Sequence, residues 1–77
     1  MDIRKLVGGN VARLRREQGF KQEPFSEAAG ITQSYLSQIE SGRVNLTLLR
    51  LNEIAQALSV PPAELLVPIR STHQDNS

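Results

Sequence analysis

Apolar residues in the first part of the chain follow the spacing of one helical face, and Asp2 precedes them as a residue that can cap a helix. The apolar members of this face are Ile3, Leu6, Val7, Val11 and Leu14. Gly19 stands where a residue in the left-handed conformation would end such a helix. Gly8 and Gly9 lie inside it, and each costs a helix up to ~1 kcal/mol. The pattern predicts a first helix between Asp2 and Gly19.

Three further helices are predicted from the same periodicity and from residues that begin helices. The second covers about residues 22–29 and carries Pro24 in its first turn, where the missing N–H does little harm. The third is capped by the Thr32 hydroxyl and continues to about Glu40. The fourth opens at residues 45–47. The apolar face expected for the fourth helix is formed by Leu48, Leu51, Ile54, Ala55 and Leu58.

The last part of the chain predicts one more short helix and a tail. Residues 60–62 (Val-Pro-Pro) break the fourth helix, and Pro62 can start a fifth that ends near Val67. Residues 70–77 contain no apolar group and are expected to be disordered. Since no stretch alternates like a strand, we predict an all-α fold of five short helices in a single domain, residues 1–69.

The second and third predicted helices are joined by so short a connection that they must cross steeply. Such a crossing needs a residue that tolerates positive φ, which Gly30 supplies, and a small residue at the contact, which is Ser26 or Ala29. It also needs an apolar wedge between the helices, and the wedge consists of Phe25, Ile31, Leu36 and Ile39. This arrangement predicts a helix-turn-helix, whose second helix enters the major groove of DNA.

The other face of the third helix is polar and uncharged, and its members are Gln33, Ser34, Ser37 and Gln38. A glutamine can pair with adenine N6 and N7, and a serine can reach several base edges. The alternative is an ordinary polar helix surface, which would be favoured if this face stood alone. Within the helix-turn-helix spacing we favour base recognition.

Charge is distributed unevenly along a chain whose net charge is only +1. Residues 1–21 hold six basic and two acidic groups, whereas the rest of the chain holds three basic and six acidic groups. A basic half can face phosphates while the remainder stays neutral or acidic. A solvated helix face is the alternative, and charge alone favours that alternative.

Composition excludes several other classes of protein. The chain has no cysteine, so disulfides and thiolate metal sites are excluded, and its single histidine, His73, lies in the polar tail. We find no nucleophile–base pair, acidic dyad or phosphate-binding glycine loop, and therefore expect no enzyme activity, cofactor, metal or small-molecule ligand. No apolar run approaches the ~20 residues of a membrane span, and no signal peptide is recognisable. We expect a cytoplasmic, nucleoid-associated protein.

The motif residues and their spacing resemble the lambda-repressor-like, or xenobiotic-response-element type, helix-turn-helix family. The similarity covers roughly residues 6–66, and its most specific part is the run from Tyr35 to Glu40 followed by Gly42. The segments that carry it are 13–19, 22–23 and 29–43, with apolar residues continuing to Leu65. The resemblance implies a bacterial or phage transcriptional regulator that binds double-stranded DNA, usually as a homodimer on an inverted repeat.

The resemblance also implies roles for individual residues. Base contacts are implied for Gln33, Ser34 and Gln38, with Tyr35 and Ser37 at the edges of the contact. Phosphate contacts are implied for Gln22, which would also brace the third helix, and for Thr32, Arg43 and Asn45. Lys21 replaces the usual serine or threonine cap of the second helix and adds a cation that can reach phosphate. Arg15 and Glu40 would form an ion pair between the first and third helices.

A surplus of apolar residues on the far side of the domain predicts a dimer surface. These residues are Leu46, Leu49, Leu65, Leu66, Val67 and Ile69. A self-complementary patch fits a two-fold dimer, which would place two recognition helices ~34 Å apart on a pseudo-palindrome. The alternative is that several of these side chains pack inside the monomer.

Other interpretations remain open from the sequence alone. The segment 43–48 also resembles controller proteins of restriction–modification systems, while phage repressors, antitoxins and general regulators share the rest of the pattern. Activation and repression look alike at this level. A protein-binding adaptor could keep the fold without the DNA role, but it would be expected to carry an acidic or apolar third helix.

Overall fold

Four α-helices and one 3₁₀ helix follow one another in the computed structural model, which describes residues 1–68. They are α1 (Ile3–Glu17), α2 (Gln22–Ala29), α3 (Gln33–Glu40), α4 (Leu48–Ala57) and the 3₁₀ helix (Pro62–Leu66). The all-α fold is therefore confirmed, although the fifth element is a 3₁₀ turn rather than an α-helix. Ile69, which was expected at the dimer surface, and the expected disordered tail, residues 70–77, lie outside the described residues.

Side-chain caps begin three of the α-helices, two of them at the caps predicted from the sequence and one within the predicted opening segment 45–47. The Asp2 carboxylate accepts from the backbone N–H of Arg4, and the Thr32 hydroxyl accepts from that of Tyr35. Thr47 caps α4 in the same way. Each cap satisfies a backbone donor that has no partner within its own helix.

The core lies between α1, the helix pair α2–α3, α4 and the 3₁₀ helix. Its largest fully buried apolar side chains are Phe25, Leu36, Ile39, Ile54, Leu58, Leu65 and Val11. Leu65 is 0% exposed, so its assignment to a dimer surface is wrong. The reason is that the 3₁₀ helix packs against both α1 and α4 and turns Leu65 inward between them.

Leu48 is also placed differently from the prediction, since it is 84% exposed rather than part of the core face of α4. Leu51, one turn further along the same helix, is buried. Leu48 is the first residue of α4, where the helix has not yet reached the packed centre of the domain. Its side chain therefore lies at the rim of an apolar pocket on the surface.

Gly8 has a packing role that the sequence did not reveal. A Cβ atom at this position would collide with the carbonyl oxygen of Ile39 and lie 3.0 Å from that of Glu40. The backbones of α1 and α3 therefore approach so closely that only a glycine fits between them. The helix cost of Gly8 is offset by this close packing against α3.

Asn10 of α1 forms hydrogen bonds to the C-terminal end of the described chain. Its side chain is fully buried, and its Nδ2 donates to the carbonyl oxygens of Leu65 at 2.9 Å and Val67 at 2.8 Å. Its Oδ1 accepts from Arg13 at 3.1 Å, so the buried amide has partners on both sides. A buried amide satisfied in this way specifies one position for the segment it holds.

Candidate nucleic-acid interface

The turn between α2 and α3 has the geometry that a steep helix crossing requires. Gly30 adopts φ 74°, and the N–H of Ile31 returns to the carbonyl oxygen of Ser26 at 2.9 Å. Ser26 is the small residue buried at the crossing, and its hydroxyl donates to the Glu23 carbonyl at 2.7 Å. Ala29, the other candidate for that place, is only partly buried. The helix-turn-helix predicted from spacing is therefore present.

The recognition helix α3 has one face in the core and one in solvent. Leu36 and Ile39 are buried, and Tyr35 is half-buried at the edge. The solvent face carries the polar residues expected from the sequence, and all four are exposed: Gln33, Ser34, Ser37 and Gln38. This face presents amide and hydroxyl groups, the donors and acceptors that pair with base edges in a major groove.

A buried ion pair holds the C-terminal end of α3 against α1. Arg15 Nε donates to Glu40 Oε2 at 2.7 Å and Arg15 Nη2 donates to Oε1 at 3.0 Å, with both side chains 7% exposed. Arg15 also donates to the Phe20 carbonyl at 2.7 Å, and Gln22 Nε2 donates to Glu40 Oε1 at 3.0 Å. A bidentate pair with both partners further bonded offsets the cost of removing two charges from water.

Gln22 therefore links the first turn of α2 to the last residue of α3, as the resemblance implied for its bracing role. It is only partly buried, so its side chain lies close to solvent while it holds Glu40. Lys21, the residue before it, is exposed and makes no side-chain cap hydrogen bond in the described part of the chain. Within the described residues, no capping contact at the N-terminus of α2 therefore fixes the position of the Lys21 side chain.

The loop after α3 continues directly from the C-terminal end of that helix. Gly42 adopts φ 75° and packs against Lys5 of α1, where a Cβ atom would lie 3.0 Å from the Lys5 Cα. The N–H of Arg43 returns to the Gln38 carbonyl at 3.0 Å. Arg43 and Asn45 are both exposed, so the loop places a guanidinium and an amide beside the end of α3. Thr32 lies exposed at the opposite end.

Arg50 of α4 is a residue near this surface that the sequence analysis missed. Its guanidinium carbon lies 5.8 Å from the centroid of the Tyr35 ring, and its Nη1 donates to Glu53 Oε1 at 3.0 Å. No local signal pointed to it, because Tyr35 and Arg50 belong to different helices and meet only in the folded chain.

Comparison with known proteins agrees with this geometry. The family model described as "Helix-turn-helix" (HTH_3) matches residues 11–65, which includes all of α2, α3 and α4. The chain belongs to this family. The family membership suggested by the resemblance in the sequence is therefore confirmed.

Individual members of the helix-turn-helix family resemble this chain over most of its length. An uncharacterized HTH-type transcriptional regulator from Sinorhizobium fredii is 53% identical over 94% of this chain and 94% of its own. The hypothetical transcription factor NHTF from Neisseria superposes with a TM-score of 0.83 at 28% identity, covering 97% of this chain and 84% of that one. The restriction–modification controller protein C.AhdI from Aeromonas hydrophila superposes with a TM-score of 0.77 at 31% identity, covering 80% of this chain and 94% of that one.

These three helix-turn-helix relatives are named as regulators of transcription or as a controller protein rather than as enzymes. Transcription regulation by DNA binding is thus the function class of the family to which the chain belongs. Within residues 1–68, no helix is both long enough and apolar enough to cross a membrane.

Proposed function

We propose that this helix-turn-helix protein is a sequence-specific transcriptional regulator that lays α3 in the major groove of an inverted-repeat operator. The observation that carries the proposal is an exposed, uncharged polar face on a helix whose opposite face and C-terminal end are buried. In this proposal Gln33, Ser34 and Gln38 contact base edges, and Tyr35 and Ser37 lie at the edge of the contact. A rigidly held helix gives these short side chains a defined position against the bases.

Phosphate contacts are proposed on both sides of the recognition face. On one side, the contacts come from Lys21 and Gln22 at the start of α2 and from Thr32 at the start of α3. On the other side, they come from Arg43 and Asn45 in the loop after α3. Such contacts fix the position and orientation of a protein on DNA and carry no sequence information directly. The excess of basic groups in residues 1–21 adds a long-range attraction.

We further propose that the functional unit is a homodimer formed through an apolar surface at the start of α1, the start of α4 and the 3₁₀ helix. The exposed large apolar side chains of this surface are Ile3, Leu48, Leu49, Leu66 and Val67. Ile3, Leu48 and Leu66 line a pocket of about 190 Å³, and partly buried Leu46 contributes to its wall. In this proposal a two-fold axis brings the protruding leucines of one copy against the pocket of the other.

Selection from a random DNA library, with the purified protein at two salt concentrations, tests this function. We expect enrichment of an inverted repeat whose half-sites are about one helical turn apart, and an affinity that falls steeply as salt rises. Gln38→Ala should lose about 1–3 kcal/mol of discrimination at one base position. Arg43→Ala should weaken binding to all sequences alike and flatten the salt dependence. Weak binding without any enriched sequence would contradict the proposal.

A narrower candidate function is control of a restriction–modification system. It is favoured by the similarity to C.AhdI, 94% of whose length is covered by this chain. The operator obtained by selection provides the test when it is searched for in the genome that encodes this protein. A match upstream of methyltransferase and endonuclease genes would support a controller, and matches confined to other promoters would refute it.

A further inference from the structure

Arg50 is a cation whose head group makes two contacts beside the recognition helix and whose backbone is fixed by a third. Its guanidinium carbon lies 5.8 Å from the Tyr35 ring centroid, within the range of a cation–π interaction. Its Nη1 donates to Glu53 Oε1 at 3.0 Å, and its backbone N–H donates to the Thr47 hydroxyl, also at 3.0 Å. The capped first turn of α4 therefore sets the position of the Arg50 backbone, and the Arg50 guanidinium lies against the Tyr35 ring.

The two ends of α3 are anchored by different interactions. At the C-terminal end, Glu40 is buried and bonded to Arg15 and Gln22. At the N-terminal end the cap hydrogen bond from Tyr35 to Thr32 is exposed. The main packing partners of α3 are α1 and α2, so the contact between Tyr35 and Arg50 adds a link from this end of α3 to α4.

We propose that Arg50 is a positioning residue for DNA recognition: it acts through the Tyr35 ring to orient the N-terminal end of α3. This inference rests on the proposed function. Gln33 and Ser34 belong to the same turn as Tyr35, and N-terminal residues of a recognition helix are those that contact base edges. A displaced Tyr35 would therefore change base preference there and leave the phosphate contacts of Arg43 unaffected.

A direct contact between Arg50 and a phosphate is the competing explanation. The structure disfavours it, because the guanidinium is already paired with the Glu53 carboxylate, which would repel a phosphate. The two explanations differ in their salt dependence. Loss of one phosphate contact lowers the slope of log K against log salt by about one, whereas loss of a positioning residue leaves that slope unchanged.

A double-mutant cycle on the selected operator separates these possibilities. Arg50→Met removes the charge and keeps an unbranched chain, Tyr35→Leu removes the ring, and the pair tests whether Arg50 acts through Tyr35. We expect Arg50→Met to lose about two- to fivefold in discrimination at the base positions nearest Gln33. In the Tyr35→Leu background the same change should have no further effect. Arg50→Lys, which keeps a cation near the ring, should lie between Arg50→Met and the parent.

Tyrosine fluorescence supplies a readout that does not depend on DNA. Tyr35 is the only tyrosine and the chain has no tryptophan, so the emission reports on this side chain alone. Arg50→Met should raise the quenching of Tyr35 by acrylamide, a neutral quencher whose local concentration does not depend on the charge at residue 50, in the free protein. Gln56 is exposed on the same helix and lines a surface groove together with Arg50, so Gln56→Ala should match the parent in both assays.

Four results would overturn the proposal, and each is distinct from the others. Additive effects of Arg50→Met and Tyr35→Leu would show that Arg50 does not act through the ring. A salt slope reduced by about one in Arg50→Met would assign Arg50 to a phosphate. A parent protein that enriches no sequence would refute the proposed function and this inference together, whereas enrichment with unchanged discrimination in Arg50→Met refutes this inference alone.

Discussion

Gly8→Ala tests how closely the recognition helix is packed on α1, because two opposing effects act at this position. Inside an α-helix, alanine is more favourable than glycine by ~1 kcal/mol, which would stabilise the protein if the site were open. The structure instead places the new methyl group against the carbonyl oxygens of Ile39 and Glu40, the second of them only 3.0 Å away. These are backbone atoms, so no side-chain rotation can relieve the contact.

The magnitude follows from the comparison of these two effects. Overpacking of a well-packed site costs ~1–3 kcal/mol, and a contact with a rigid backbone belongs at or above the upper end of that range. After the gain in helix propensity is subtracted, we expect Gly8→Ala to lose ~2 kcal/mol of unfolding free energy. For a domain of this size that corresponds to a melting temperature lower by about 8–16 °C.

Thermal unfolding followed by far-UV circular dichroism measures the effect, and Gly9→Ala provides the matched control. Gly9 lies next to Gly8 in the same helix and is only half-buried, so the same substitution should keep or raise the melting temperature. Operator affinity should fall in Gly8→Ala, because α3 must move to accommodate the methyl group. If Gly8→Ala melts as high as Gly9→Ala, the close approach of α1 and α3 is wrong.

Three further predictions concern the ion pair, a strained residue and the proposed dimer surface. Arg15→Met should lower the unfolding free energy in chemical denaturation by ~3–5 kcal/mol, because it leaves Glu40 buried without its partner. Adding Glu40→Leu should recover most of that loss. A double variant as unstable as Arg15→Met alone would contradict this account. Ser59 has φ 59°, so Ser59→Gly should relieve backbone strain and raise stability by ~0.5–1 kcal/mol in calorimetry, whereas a lower melting temperature would refute it. Leu49→Asp, at a side chain that is 69% exposed, should shift sedimentation equilibrium from dimer to monomer without lowering monomer stability, and an unchanged mass would remove Leu49 from the interface.

The helix boundaries and the helix-turn-helix were predictable because their signals are local. Thr32 and Thr47 cap the helices they precede, and Gly30 takes the positive φ that the crossing requires. Each of these residues acts within a few positions of its own place in the chain, so the sequence shows both the residue and its effect. The exposed polar face of α3 follows from the same local periodicity.

What the sequence could not show depends on contacts between distant segments. Leu48 and Leu65 both fit an apolar pattern, but Leu65 is buried because the 3₁₀ helix packs against α1 and α4, whereas Leu48 is exposed because it is the first residue of α4. Gly8 looked like a cost to its helix, since the recognition helix that requires it lies thirty residues further along the chain. The contact between Arg50 and Tyr35 was hidden for the same reason.

The order of the recognition surface depends on these contacts between distant segments rather than on the intrinsic stability of α3. The helix α3 has 8 residues, and isolated helices shorter than ~12–15 residues are marginal in water. Its ordered state therefore comes from the core, from the ion pair at Glu40 and from the packing of Gly8. We therefore expect any change that loosens one of these contacts to lower stability and, under the proposed function, to weaken the base contacts at the same time. In the proposed function, sequence preference and fold stability are for this reason two consequences of one set of interactions, and we expect a variant that alters preference at constant stability to act on the exposed face of α3 or on a surface residue that positions it, such as Arg50.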